Sequence, residues 1–507
     1  MNPFRKIGSF FKGKPADSPV PRIENRYRGA DMASPDREQL FGRPRDVRWD
    51  LNNATRSQLV LWSRELEENN GIYIKLVGLF EQYTVGAKGL QFIPNSSDSD
   101  WNQKAREWWT GWERVCDLTS LQHFGTIQNL IARTWFKDGE VFLLKTYGRD
   151  RDGVKRPRIQ LIECQRVRSP MSPPLPLRIF DGIEVNELGR PVAYWISSGL
   201  DDKVVTRVDA ANVVHIFEPV RPNQYRGIPI PYAVLNDMID YRQLMQYEML
   251  KAKDNADTSR VFKTNTGDVP AGQVFKSKFN DAGTTNTGAA TVESRTRYLE
   301  KATGAKIIGL LPNEEMAEHI GSGISAGTQY QHEEILSVIC AGCEISKLLV
   351  FPSSMQGTVV RADLDSCAMS FRCRSAFLAN ALAYIYRWAL TEAIYANENG
   401  LGVNVPDDYL KVTARPPRAP NVDVGRNSAA IIAEIKAGLR TYEGTIGEMG
   451  GDWREVFMQK GRELAFASAV EKQFELPAGA ILESMMETLV ETAEIEAATA
   501  PPLQIAA

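Results

Sequence analysis

Cysteine is scarce in this chain. Six occur in 507 residues, without regular spacing, which excludes a disulfide-stapled scaffold and fits folding in a reducing compartment. Long apolar runs are missing, since none approaches the roughly 20 residues that a membrane-spanning helix needs. The opening residues, Met1-Asn2-Pro3-Phe4-Arg5-Lys6, lead into no apolar core of signal-peptide length, so cytoplasmic synthesis and no membrane partner are expected. An excess of one charge is missing as well. Sixty basic against 63 acidic side chains leave a net charge of -3, which argues against a protein that grips nucleic acid by bulk electrostatics, because phosphate neutralisation needs a clustered basic surface.

What is present is an ordinary globular composition, 43% hydrophobic and 24% charged, in a chain long enough for two to four cores. The sign of the charge is unevenly placed, basic towards one end and acidic towards the other. The N-terminal arm carries Arg5, Lys6, Lys12, Lys14, Arg22, Arg26 and Arg28, whereas the tail carries Glu471, Glu475, Glu483, Glu487, Glu491, Glu494 and Glu496. Solvated end segments are the plain reading of both.

Residues 1–51 show no periodicity and read as an arm. Thr55 is expected to cap a first helix, with Gln58 as its capping-box partner, and Leu59, Trp62 and Leu66 give it an apolar face. A second helical segment follows Asn69-Asn70-Gly71 with Ile72, Leu76, Leu79, Phe80 and Tyr83. Trp101, Ala105, Trp108, Trp112 and Val115 recur at helical spacing. Packing explains this stripe better than base stacking, because only Lys104, Arg106 and Arg114 surround it. From Glu140 the pattern turns to strands: Val141–Leu144, a turn at Arg151-Asp152-Gly153, Ile159–Ile162, Ile183–Val185, Val192–Ile196 and Val213–Phe217.

Pro229 and Pro231 are expected to open a long helix over about Tyr232–Thr258, at the first-turn position where proline is tolerated. Between 265 and 327 the composition shifts to Gly, Thr, Asn, Ser and Ala, too poor in apolar bulk to bury a core alone. The chain is organised around Tyr330–Tyr395, read as an amphipathic helix through Val350, a break at Phe351-Pro352 to Gly357, and a second helix from Arg361 without proline or glycine. At about 1.5 Å per residue the second helix spans roughly 50 Å, natural for a strut. Ala414–Pro420 reads as a linker, and 428–439 and 453–464 as shorter helices.

Catalytic patterns are weak. Gly323-Ile324-Ser325-Ala326-Gly327 matches a nucleophile elbow in letters, but no apolar strand precedes it and the only later histidine is His332. Gly8–Lys14 imitates a phosphate loop, with Pro15 where the magnesium-binding hydroxyl belongs. Cys340 and Cys343 have metal-like spacing, whereas Cys367 and Cys373 do not complete it. No catalytic residue, metal or cofactor is expected.

A resemblance gathers these pieces. The run from Gly357 through Arg361, Leu364 and Phe371 to Arg372 and Arg374 resembles the segment after the tunnel loop in portal proteins of tailed bacteriophages, lambda-type family. Further pieces resemble that family in its order: Asn69-Asn70 with Val85–Gln91, Asp138–Phe142, Gly182–Glu184 with Leu188–Tyr194, Val213–Phe217, Arg226–Pro229, Lys436–Thr441 and Gly451–Trp453.

The resemblance implies an α+β portal-protein fold, with a mixed α/β wing, long stem helices, a small clip and an α-helical crown, assembled as a ring of commonly twelve copies. On this chain it implies an N-terminal arm at 1–53, a first part of the wing at 54–228, stem helices at 229–260 and 328–348 flanking a clip at 261–327, and a tunnel loop at 349–360. The wing's long helix and following strand would occupy 361–413, and crown and tail 414–507. The loop residues Phe351, Pro352, Ser353, Ser354, Met355, Gln356 and Gly357 would face DNA, with Lys251, Lys253, Arg260 and Lys347 as basic candidates along the channel. Implied partners are further copies, double-stranded DNA, the terminase large subunit, the major capsid or scaffold protein and a head-tail connector protein, with the virion vertex as location after assembly in the host cytoplasm. Two alternatives stay open, a serine hydrolase using Ser325 and a non-viral ring-forming scaffold.

Overall fold

The computed structural model describes residues 45–149, 153–172, 178–199, 204–263, 306–310, 326–352, 357–417, 424–449, 451, 453–477 and 479–481. Most of the arm, Ser325 and most of the expected clip lie outside them. The chain divides after Asp50 into two units, each described by itself. The described part of the first is α1 (Val47–Asp50), where the Asp46 carboxylate accepts from the Arg48 backbone N–H at 2.9 Å.

The second unit begins with α2 (Asn53–Asn69) and α3 (Gly71–Thr84), separated by one residue. Asn70 serves both: its N–H bonds the Leu66 carbonyl and its side chain accepts from Ile72 and Tyr73. The expected cap at Thr55 is displaced to Asn52, whose extended backbone lets its side chain accept from the Thr55 N–H at 3.0 Å. Thr55 is therefore a first-turn donor, not the cap.

β1 (Gln91–Pro94), α4 (Ser99–Glu113) and α5 (Phe124–Asp138) follow. Trp101, Ala105, Trp108 and Trp112 of the stripe are buried, as their spacing predicts, whereas Val115 at its end is exposed; Trp109 joins them between Phe124 and Tyr386. Three indole N–H groups find acceptors, Trp101 on Leu401 O, Trp108 on Glu398 and Trp112 on Pro157 O.

Seven strands succeed one another with only two short 3-10 turns between them among the described residues. β2 (Glu140–Arg149) pairs antiparallel with β3 (Lys155–Ile162), while β4 (Arg178–Phe180), β5 (Ile183–Val185), β6 (Pro191–Ser197) and β7 (Val205–Asp209) make a four-stranded antiparallel sheet in that order. β8 (Val213–Phe217) returns to the other edge of β2. Because side chains alternate along a strand, β2 divides its residues between two cores. Val141 and Leu143 join the main core, and Phe142 joins a smaller one with Ile162, Ile183 and Tyr194.

α6 (Leu235–Asp257) is shorter than expected. Pro229 and Pro231 form turns ahead of it, their carbonyls accepting from Tyr232 and Val234. At its far end the chain becomes β9 (Thr258–Lys263), paired in parallel with β10 (Lys306–Leu310). Arg260 thus lies on a strand opposite Ile307, not on the helix.

The helix expected to run unbroken to Val350 is two. α7 (Ala326–Gly342) stops, and α8 (Lys347–Val350) restarts with the Ser346 side chain as cap. Between them Glu344 has φ of 54°, a left-handed conformation no helix continues through. α9 (Gly357–Tyr395) is 39 residues long, about 58 Å by helix rise. It buries Phe371, Leu378, Leu382, Ile385, Tyr386 and Leu390 against α3, α4 and α5, leaving Met369 and Tyr384 exposed. β11 (Val412–Arg415) returns to pair with β1. The chain ends in α10 (Val424–Lys436), α11 (Tyr442–Glu448) and α12 (Trp453–Gln473), the last running nine residues beyond its expected end at 464.

Candidate channel-lining site

The elements that resemblance assigns to a channel are α6, α7 and the break before α9. α6 springs from a joint in which β2 begins at the same place as the segment 226–228 passes. Gly139 ends α5 with φ of +80°, and a Cβ there would run into the backbone of Ile228. A Cβ on Gly227 would meet the Gly139 carbonyl in turn. The two backbones touch because both residues lack side chains.

Beside this crossing lies a fully buried ionic cluster. Glu140 accepts from Arg226 Nε at 2.9 Å and Nη2 at 2.5 Å, from the Gly227 N–H at 2.8 Å, and from His215 Nε2 at 3.2 Å, with Arg56 Nη1 at 3.4 Å. Arg226 also donates to the carbonyls of Val167, Asp181 and Cys164. Its guanidinium therefore ties β2, the 164–167 turn and the β4–β5 turn to the residues that lead into α6. His215 is stacked between Phe142 and Phe217, with ring centroids 4.1 and 4.4 Å away.

Burial alone would raise the Glu140 carboxyl, but the Arg226 charge and hydrogen bonds from His215 and Arg226 outweigh it and hold the group far below the usual range. Burial pushes His215 below its ordinary 6.5, against the pull of Glu140. Both shifts have the same consequence. The unfolded chain binds protons that the fold refuses, so stability falls as pH drops through 6.5 for His215 and again below 4.5 for Glu140. Melting curves from about pH 8 to about pH 4 should show this two-stage loss. His215→Gln should flatten the upper stage and keep the lower; an unchanged upper slope would contradict the assignment.

A second joint fixes the break between α7 and α9. Arg374 of α9 is buried over the Phe80 ring, 5.5 Å from its centroid, and reaches Glu344 at 3.1 Å. Ser346 bonds Asp363 through its hydroxyl, and its N–H lies 3.3 Å from Cys367 Sγ. Of the aromatic and arginine residues singled out in the sequence, Phe371 and Arg374 are thus structural and Arg372 is exposed.

The remaining sequence-derived candidates separate clearly. Lys251 and Lys253 are exposed near the far end of α6. Lys347 bonds the Glu333 carbonyl at 3.1 Å and Ser337 Oγ at 3.3 Å, so its ammonium ties α8 to α7 within the chain. Phe351 is half-buried and Pro352 exposed. Gly357 begins α9, and Ser353, Ser354, Met355 and Gln356 lie outside the described residues, as does Ser325. Burial pushes the Cys340 thiol up to about 11 and the Cys343 thiol up to about 12, so both stay protonated at neutral pH. Among the described residues no group of three or more His, Cys, Asp or Glu side chains could hold a metal ion, and no helix is long and apolar enough to cross a membrane.

The buried cluster escaped notice in the sequence. Its signal was there as charge inside apolar strands: Glu140 ahead of Val141–Leu144, and His215 between Val214 and Ile216.

Residues 37–351 match the family model described as phage portal protein, lambda family. The chain is 22% identical over 350 residues to portal protein B of Escherichia phage lambda, a match covering 64% of this chain and 66% of that protein. It is 22% identical over 441 residues to the portal protein of Escherichia phage N15, covering 79% and 82%, and 24% identical over 214 residues to a probable portal protein of Halomonas phage phiHAP-1, covering 38% and 40%. The matched stretch thus spans just under two thirds of the lambda protein. Among solved structures the chain is similar to one in the neck of an empty gene transfer agent particle, with 13% identity, TM-score 0.43 and coverage of 81% of this chain and 96% of that one. A second likeness, to a chain of the native gene transfer agent virion, has 12% identity and TM-score 0.37, covering 78% and 93%. On the sequence match over 37–351, the chain belongs to the lambda family of phage portal proteins, structural components of the phage capsid.

Proposed function

We propose that copies of this chain close into a ring at one vertex of a tailed-phage or prophage capsid, and that double-stranded DNA threads the ring during packaging and ejection. In this reading the strands and α2–α5 with α9 form the wing, α6 and α7 the stem, β9 and β10 the margins of the clip, and α10–α12 the crown. The observation that carries it is the state of α6. Its first turns, with Leu235 and Met238, are buried, but from Arg242 onward it stands out, with Met245, Tyr247, Met249 and Leu250 exposed. Apolar side chains on a helix projecting from its domain need a cover, and ring neighbours supply one at every position.

A conduit must let the duplex slide, so it gains nothing from tight phosphate binding. Duplex DNA carries about one charge per 1.7 Å; a near-neutral chain with sparse basic residues, Lys251 and Lys253 among them, centres it without holding it. The loop from Phe351 to Gly357 is the segment assigned to the DNA, and the terminase large subunit, the capsid or scaffold protein and a head-tail connector protein are the partners assigned to the assembled ring. Assembly in the host cytoplasm precedes incorporation into the virion.

Pro352→Trp and Gly357→Leu in the phage should leave ring assembly intact and reduce the fraction of DNA-filled heads. Normally filled heads from both variants would refute the loop assignment.

A further inference from the structure

A groove of about 470 Å³ opens between the α2–α3 corner, α6 and the end of α8. Its apolar lining comes from Ile72, Tyr241, Met245, Met249, Val350 and Phe351. Its rim carries Lys75, exposed on α3, and Arg242, already paired with Glu65 at 2.8 Å. Met245 and Met249 are 39% and 55% exposed, so the groove is apolar, positively rimmed and open.

α7 carries the complement. His332 faces α6, edge-on to Tyr241 at 5.6 Å. A residue two positions away on a helix points about 200° around it, so Tyr330 and Glu334, flanking His332 by two on either side, face away from α6. Tyr330 is 64% exposed, and Val338, one turn beyond Glu334, is 51% exposed. This stripe is an aromatic ring, an acid and a branched aliphatic in line, with Glu333 exposed beside it.

We infer that the groove is the acceptor for the Tyr330–Glu334–Val338 stripe of a second copy of this chain, with Tyr330 over Met245 and Glu334 facing Lys75. The inference rests on the ring reading above and gives it a contact. Charge and level both select a second copy. The charges complement, an acid on the stripe against a lysine on the rim. The levels also agree. Cyclic symmetry carries a residue to the same height in the next copy, and the Tyr241–His332 contact puts Tyr330 and Glu334 level with the groove's α6 wall. Because groove and stripe are different surfaces, the contact is heterologous, and such contacts close rings or extend filaments.

The test uses the full chain with the exposed Cys373 replaced by serine, carrying Met245→Cys and Tyr330→Cys together or singly. Mild oxidation should give a ladder of covalent oligomers on a non-reducing gel from the double variant alone. Independently, Lys75→Glu and Glu334→Lys should each raise the concentration needed for half-assembly about fivefold, and the double reversal should restore it. Rings that form with neither ladder nor restoration would overturn the groove contact, leaving the groove to DNA or another capsid protein while the ring stands. Failure of the unaltered chain to form rings would overturn both.

Discussion

Arg226→Met should cost about 3–5 kcal/mol, the penalty of leaving a buried charge without its partner. Glu140 is fully buried and takes three of its hydrogen bonds from this guanidinium. Arg56 at 3.4 Å and a neutral His215 replace little of it. Three carbonyls, on Val167, Asp181 and Cys164, lose a donor at the same time. Adding Glu140→Gln should recover part of the loss, since a neutral amide is cheaper to bury than an unpaired carboxylate. Thermal melts followed by circular dichroism measure both. A loss below about 1 kcal/mol, the size of an exposed ion pair, would show that the cluster does not lock the joint.

Gly139→Ala should be the most damaging single methyl in the described residues around this joint. A φ of +80° costs a side chain about 1–2 kcal/mol, and the added Cβ must displace the Ile228 backbone, for a total of about 3 kcal/mol or more. Gly153 is the control. Its φ is +79° but nothing lies within 4 Å of a Cβ there, so Gly153→Ala should lose only about 1 kcal/mol. Equal effects from the two would mean that the backbone crossing is not tight. If Gly139→Ala proves insoluble, Gly227→Ala tests the same crossing from the other side, because its Cβ meets the Gly139 carbonyl without a positive φ.

Periodicity reached the elements whose partners lie within the chain. The tryptophan spacing, the β2–β3 hairpin and the long run to Tyr395 all came out as helices or strands because burial sets their pattern. It failed where one residue type overrides the pattern. Ser346 and the left-handed Glu344 split a helix whose apolar spacing continues unbroken. Pro229 and Pro231 made turns because Phe136 O takes the Ile230 N–H and their own carbonyls close on Tyr232 and Val234. The short strands β4 and β7 gave too little alternation to be seen. The Glu140–Arg226 pair joins residues 86 apart, and spacing along a sequence carries no record of such a contact. Resemblance supplied what periodicity could not, the order of the pieces. Surfaces waiting for another copy, on α6 and α7, read in sequence as ordinary amphipathic faces, because periodicity does not distinguish a core from an interface.

Both joints serve one purpose in this account. The Gly139–Gly227 crossing with the Glu140–Arg226 cluster fixes where α6 leaves, and Arg374 with Glu344 fixes where α7 gives way to α9. A projecting helix pair held rigidly at its root presents its faces to neighbours at a set angle, which closure into a ring requires. Negative-stain imaging of the purified full chain tests this most directly. The account predicts discs of uniform diameter with a central hole; folded chains that stay compact monomers at concentrations suited to assembly would contradict it.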